Sequence, residues 1–90
     1  MRRMISVEAA GESKYRVTVE EDGTRTEHEV TASPGDLARY GPGVQPEQVL
    51  KASFEFLLER EPKEAILSRF DLPTIERYFP EYPQKIRNLL

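Results

Sequence analysis

Tyr15-Arg16-Val17-Thr18-Val19-Glu20-Glu21-Asp22-Gly23-Thr24-Arg25-Thr26-Glu27-His28-Glu29-Val30 is the stretch that decides the fold. On both sides of Asp22-Gly23 apolar and β-branched residues alternate with charged ones at period two, the pattern of strands with one buried face. Asp-Gly accepts positive φ at both centres of a type I′ turn, whose twist matches that of its flanking strands, so a two-residue hairpin is expected. With Glu21 and Thr24 beside the turn, the facing pairs are Glu20 with Arg25, Val19 with Thr26, Thr18 with Glu27, Val17 with His28, Arg16 with Glu29 and Tyr15 with Val30. Opposite charges then meet on the outer face and the apolar side chains collect on the inner one. A slip of one residue would put Val17 and Val30 on opposite faces, so pattern and turn agree on one register.

Working outward, Ile5, Val7 and Ala9 alternate with Ser6 and Glu8, and Ala10-Gly11-Glu12-Ser13-Lys14 can return the chain so that Val7 faces Val17 and Ile5 faces Val19. Residues 1–32 therefore read as a three-stranded antiparallel meander. Past Ser33 the apolar spacing changes to three and four, punctuated by prolines. Ser33-Pro34-Gly35-Asp36-Leu37-Ala38-Arg39-Tyr40-Gly41 has a hydroxyl cap, proline in the first turn and glycine beyond the end, which predicts one or two helical turns. Gly41-Pro42-Gly43 is a connector, and Pro46 opens the longest helix, running to about Arg60. Its apolar side chains cover most of its circumference and leave Glu47, Lys51, Glu55 and Glu59 as a polar stripe, so other elements must wrap it.

Pro62 breaks that helix. A short helix from Lys63 with Ile66, Leu67 and Phe70 inward is expected next, then another capped by Asp71 with Leu72, Ile75 and Phe79 on one face. Pro80 and Pro83 bound Glu81-Tyr82, and residues 84–90 form a last turn expected to fray. The expected fold is α+β, a single domain over residues 1–90. Residues 1–32 are its antiparallel meander, and residues 33–90 supply three to five helices packed as a layer on the sheet.

Composition narrows the function. Ninety residues allow one core, and a chain this short buries only about 60 to 65% of its unfolded surface, so most large apolar residues are needed inside. The absence of cysteine excludes disulfides, thiolate nucleophiles and sulfur-ligated metals, and with it any benefit from an oxidising compartment, so a cytoplasmic location is expected. Met1 to Glu8 lacks the apolar run of a secretory signal, and no stretch is apolar enough for a membrane span. A net charge of -3 argues against a broad phosphate-binding surface.

Chemical equipment is sparse. His28 is the only imidazole, and Glu27 and Glu29 beside it point to the other face of the strand, so the three cannot chelate together. It is expected to be a hydrogen-bonded structural residue. Ser53 has no second histidine and no glycine-rich elbow, and its hydroxyl is expected to return to the Val49 carbonyl. Glu20-Glu21-Asp22 and the pair Glu59 and Glu61 lie at a hairpin tip and a helix end, which reads as solvated surface rather than acid/base machinery. Gly41-Pro42-Gly43 lacks the Gly-Lys-Ser/Thr of a phosphate loop. No catalytic residue, cofactor or metal site is expected, and the chain is read as no enzyme.

Two surfaces remain. Segment 63–79 has the outline of a helix-turn-helix, with Arg69, Arg77, Lys85 and Arg87 as its basic side, although Glu76 on the same side repels phosphate. Nucleic-acid binding is thus the alternative. The run Arg77-Tyr78-Phe79-Pro80-Glu81-Tyr82-Pro83 offers Arg77, Tyr78 and Tyr82 as interface anchors, against a plainer reading in which Phe79 and Tyr82 close the core.

The run Phe54-Glu55-Phe56-Leu57-Leu58-Glu59-Arg60-Glu61-Pro62-Lys63-Glu64, followed by Ile66-Leu67, Arg69-Phe70-Asp71-Leu72, Ile75 and Arg77-Tyr78-Phe79-Pro80-Glu81-Tyr82, resembles a group of small uncharacterised bacterial proteins over the last half of the chain. The resemblance implies a bacterial cytoplasmic origin and carries no activity, cofactor or site. A likeness of Pro46 to Ser53 to the central helix of OsmC-like peroxide reductases fails, because that chemistry needs cysteines. The functional expectation is a non-enzymatic binding or regulatory module whose partner is another protein or an identical copy, met at the Tyr78 to Tyr82 surface or along a sheet edge.

Overall fold

A computed structural model describes residues 2–90. Its first part follows from the alternation: β1 (Arg3–Gly11), β2 (Lys14–Glu21) and β3 (Thr24–Thr31) form an antiparallel meander. Asp22 and Gly23 both take positive φ, 56° and 79°, as the type I′ turn requires. The register pairs Val17 with His28 and Tyr15 with Val30 across β2 and β3, and Val7 with Val17 and Ile5 with Val19 across β1 and β2. The outer-face charges choose different partners from those expected. Arg16 Nη1 meets Glu8 of β1 at 3.0 Å rather than Glu29, and Glu29 turns to Arg69 at 3.4 Å, because each has a second neighbouring strand within reach.

The helical part begins with α1 (Pro34–Tyr40), opened by a reciprocal capping box. Ser33 Oγ accepts from the Asp36 N–H, and Asp36 Oδ2 accepts from the Ser33 N–H. α2 (Pro46–Leu58) lies against β1 and β2 and buries Val49, Leu50, Phe54, Phe56 and Leu57. Its end is closed by Arg60, whose guanidinium donates to the Phe56 carbonyl at 3.0 Å and lies 3.6 Å from the centre of the Phe56 ring.

After α2 the expectation fails, and the sheet gains a strand. Lys63–Ala65 makes only a 3-10 turn, Ile66 returns to extended backbone, and Arg69–Asp71 forms β4, parallel to β3. The sheet is therefore mixed and four-stranded, in the order β1-β2-β3-β4, rather than a three-stranded meander. The reason is local. Arg69-Phe70-Asp71-Leu72 alternates at period two, with Phe70 and Leu72 buried and Arg69 and Asp71 exposed, and β3 offers it an open backbone edge. Asp71 is a strand residue and caps nothing. α3 (Thr74–Tyr78) starts after Pro73 and α4 (Tyr82–Arg87) follows, anchored by the fully buried Tyr82 and Ile86.

The core lies between the inner face of the sheet and the helices, with Val17, Val19, Val30, Leu50, Phe54, Phe56 and Leu72 fully buried. Among the described residues no helix is long and apolar enough to cross a membrane. Gly41, at the end of α1, sits tightly against α2: a Cβ there would lie 2.6 Å from Val49 Cγ2. Gly41→Ala is accordingly expected to cost roughly 1–3 kcal/mol through overpacking, read as a lower urea midpoint with an unchanged slope.

Candidate functional site

The polar groups of the interior are engaged with one another. Thr26, His28 and Val30 share the inner face of β3. His28 is 3% exposed and lies 5.2 Å, centroid to centroid, from Phe54. Its Nδ1 is 2.8 Å from the Leu67 carbonyl oxygen, which can only accept, so Nδ1 carries the proton; Nε2, 2.9 Å from Thr26 Oγ1, then accepts from that hydroxyl. Burial pushes the imidazole below its ordinary value, against the smaller opposing effect of the Leu67 carbonyl. Both nitrogens are used and the ring is buried, so His28 clips β3 to the backbone just before β4.

Ser53 donates to the Val49 carbonyl at 2.7 Å, as its helical position foretold, and therefore accepts from the Tyr82 hydroxyl at 2.6 Å. Tyr82 is fully buried, and its ring lies 4.8 Å from Tyr40 and 5.2 Å from Phe56. It is thus no part of a partner surface. Its position after Pro80 turns it inward, where Ser53 satisfies its hydroxyl, and burial raises its pKa. Tyr40 donates to Glu76 at 2.8 Å, and Arg39 grips the same carboxylate with both oxygens at 2.8 and 3.0 Å. Burial, reinforced by the Glu76 carboxylate, pushes the Tyr40 phenol up to about 12. Among the described residues no three His, Asp or Glu side chains converge as a metal ion would need.

The basic residues of the alternative reading are all exposed: Arg69 on β4, Arg77 on α3, and Lys85 and Arg87 on α4. Arg69 faces Glu29 at 3.4 Å. The helix-turn-helix that would have presented them is absent, since segment 63–79 runs as a 3-10 turn, a strand and a five-residue helix. Segment 63–79 therefore holds one short helix and not the pair that such a reader is built from.

What the chain does build is a cleft of about 260 Å³ between the end of α2, the 65–67 segment, β4 and α3. Leu57, Phe70, Ile75 and Phe79 line its apolar floor. Two of the large hydrophobics left in water stand on it: Tyr78, 68% exposed, and Leu67, 48% exposed. α3 accounts for Tyr78, because burying Ile75 leaves the residue three positions later, on the helix's last turn, at the rim. Leu67 was expected inward on a helix; the extended backbone turns it outward and Ile66 inward. Of the three anchors read from the sequence, Arg77 and Tyr78 are on the surface and only Tyr78 lines the cleft. Leu57, Leu67 and Phe70 were missed as a site because the cleft joins segments distant in sequence.

Compared with protein-family models, curated proteins and solved structures, the chain matches none of them.

The histidine clip carries a pH dependence. In the unfolded chain His28 returns to its ordinary value of 6.5, so below that pH the unfolded state takes up a proton that the folded state resists. Stability present above 6.5 is expected to fall as pH drops through that value toward the lowered folded one. Urea unfolding between neutrality and mild acid should show this decline, and His28→Gln should flatten it.

Proposed function

We propose that the chain is a non-enzymatic protein-binding module that takes one apolar side chain, aromatic or branched, from a partner protein into the cleft beside Tyr78. The observation that carries this reading is that Tyr78 and Leu67 stand exposed on a concave apolar floor made by Leu57, Phe70 and Ile75. Large apolar groups kept in water around a pocket are unfavourable until something covers them, and interface anchors are built this way. Small-molecule sites usually enclose roughly 300–1,000 Å³. A cleft of about 260 Å³ suits a single side chain better than a whole cofactor. Tyr78 brings a ring and a hydroxyl to the rim, and the exposed Arg77 beside it can meet a carbonyl or carboxylate of the incoming segment.

The non-enzymatic part of the reading is supported by the use already made of the candidate groups. Both nitrogens of His28 hold backbone and threonine partners, and Ser53 is bonded on both sides in the core. A cysteine-free chain suits the reducing cytoplasm, where such a module would meet its partner.

A displayed library of random peptides, selected on the immobilised chain, tests the reading. Enriched peptides should share a Phe, Trp, Tyr or Leu anchor, and one of them should shift the NMR resonances of Leu57, Phe70 and Ile75. Tyr78→Ala combined with Leu67→Ser should weaken its binding by about tenfold or more, as loss of hot-spot residues does, with thermal stability nearly unchanged. No enrichment, shifts confined to another face, or binding indifferent to the double substitution would each refute it.

A further inference from the structure

The two edges of the sheet are unequal. At one edge lies β4, of three residues; at the other lies β1, of nine. Which backbone groups of β1 are free follows from the opposite edge. Glu29 donates its N–H to the Ser68 carbonyl, and Thr31 accepts from the Leu72 N–H, so the odd-numbered residues of β3 aim their backbone groups at β4. Alternation in antiparallel ladders fixes the rest. His28 and Val30 bond toward β2 at Val17 and Tyr15, and the even-numbered Arg16 and Thr18 of β2 bond toward β1 at Glu8 and Ser6. Arg3, Ile5 and Val7 therefore direct their N–H and C=O groups away from the sheet. The side chains of the same strand are poorly covered: Met4 is 61% exposed, and Ile5 and Val7 are only partly buried.

We propose that β1 pairs with β1 of a second copy of this chain, antiparallel about a two-fold axis at Ile5, joining two four-stranded sheets into one of eight strands. Charge selects this occupant and this register. Within its own sheet Arg3 is paired with Glu21 and one oxygen of Glu8 with Arg16, which leaves Arg2 and the second oxygen of Glu8 as the charges an antiparallel copy sets face to face, while a parallel one aligns like with like. Outward backbone groups belong to odd residues, so odd must face odd. With the axis at Ile5, Arg3 faces the partner's Val7 in hydrogen-bonded pairs, where its aliphatic stem covers the half-buried valine. Met4 faces the partner's Ser6 and Arg2 faces the partner's Glu8 in the closer pairs between them, each pairing occurring twice by symmetry. An axis at Ser6 sets Met4 against Glu8 and leaves Arg2 facing Ala10. An axis at Val7 sets Ser6 against Glu8 and carries the pairing into the irregularity between Ala9 and Gly11. This surface is separate from the cleft and does not rest on the function proposed for it.

Sedimentation velocity on the full chain over a wide concentration series at low salt tests the pairing, with far-UV circular dichroism as a control on folding. The wild type should move from one copy to two. Arg2→Glu and Glu8→Arg should each weaken self-association by about tenfold or more, because both facing pairs become like-charged, and combining them should restore it. Since both residues are exposed, all four proteins should give the same dichroism spectrum. A single-copy mass at every concentration would overturn the proposal, as would a dimer that both single substitutions leave intact or that the double substitution fails to restore.

Discussion

The parallel contact between β3 and β4 is the constraint on which the rest of the structure depends. A parallel pair cannot be closed by a turn; it needs a crossover of a dozen or more residues, and here that crossover contains α1 and α2. Around the ladder it is sealed by Glu29 N–H to the Ser68 carbonyl at 2.8 Å, Leu72 N–H to the Thr31 carbonyl at 2.9 Å, and His28 Nδ1–H to the Leu67 carbonyl at 2.8 Å. Phe70, carried by β4, reaches Phe54 of α2 at a ring separation of 6.0 Å and so ties the crossover helix to the strand that ends the crossover. Without that contact the 62–73 segment would have no fixed course and the cleft no floor.

The sheet meander was legible because period two and a type I′ turn constrain the same residues independently. Both predicted strand pairings and the capping of α1 are local consequences of residue type, and the structure carries them out. β4 was not legible in the same way. Ile66 and Phe70 are four apart, which fits a helix face, and Asp71 before an apolar residue reads as a cap. The competing alternation of Arg69 to Leu72 is only four residues long and wins because β3 offers hydrogen-bond partners that no local reading can supply. Tyr82 is a similar case: the sequence marks it as an aromatic with a polar tip, and only the approach of Ser53 from α2 makes burial of that tip tolerable.

These placements bear on where function can reside. His28, Ser53, Tyr40 and Tyr82 are held in hydrogen bonds that maintain the fold, and the Arg39, Tyr40 and Glu76 cluster fastens α1 to α3. What the core does not use is found at the two ends of the sheet. The apolar cleft lies beside β4 and the outward-facing backbone groups along β1, with β2 and β3 between them. An arrangement with one contact surface at each edge would let a second copy and a foreign partner bind together without competing.

Amide hydrogen exchange at single residues, followed by NMR under native conditions, tests the central contact most directly. If β4 is an integral strand, the amides of Glu29 and Leu72, which bond across it, exchange only through the opening that also exposes Val17 and Val30 in the middle of the sheet. Exchange of Glu29 and Leu72 at the rate of an unprotected loop, while Val17 and Val30 remain protected, would contradict the account.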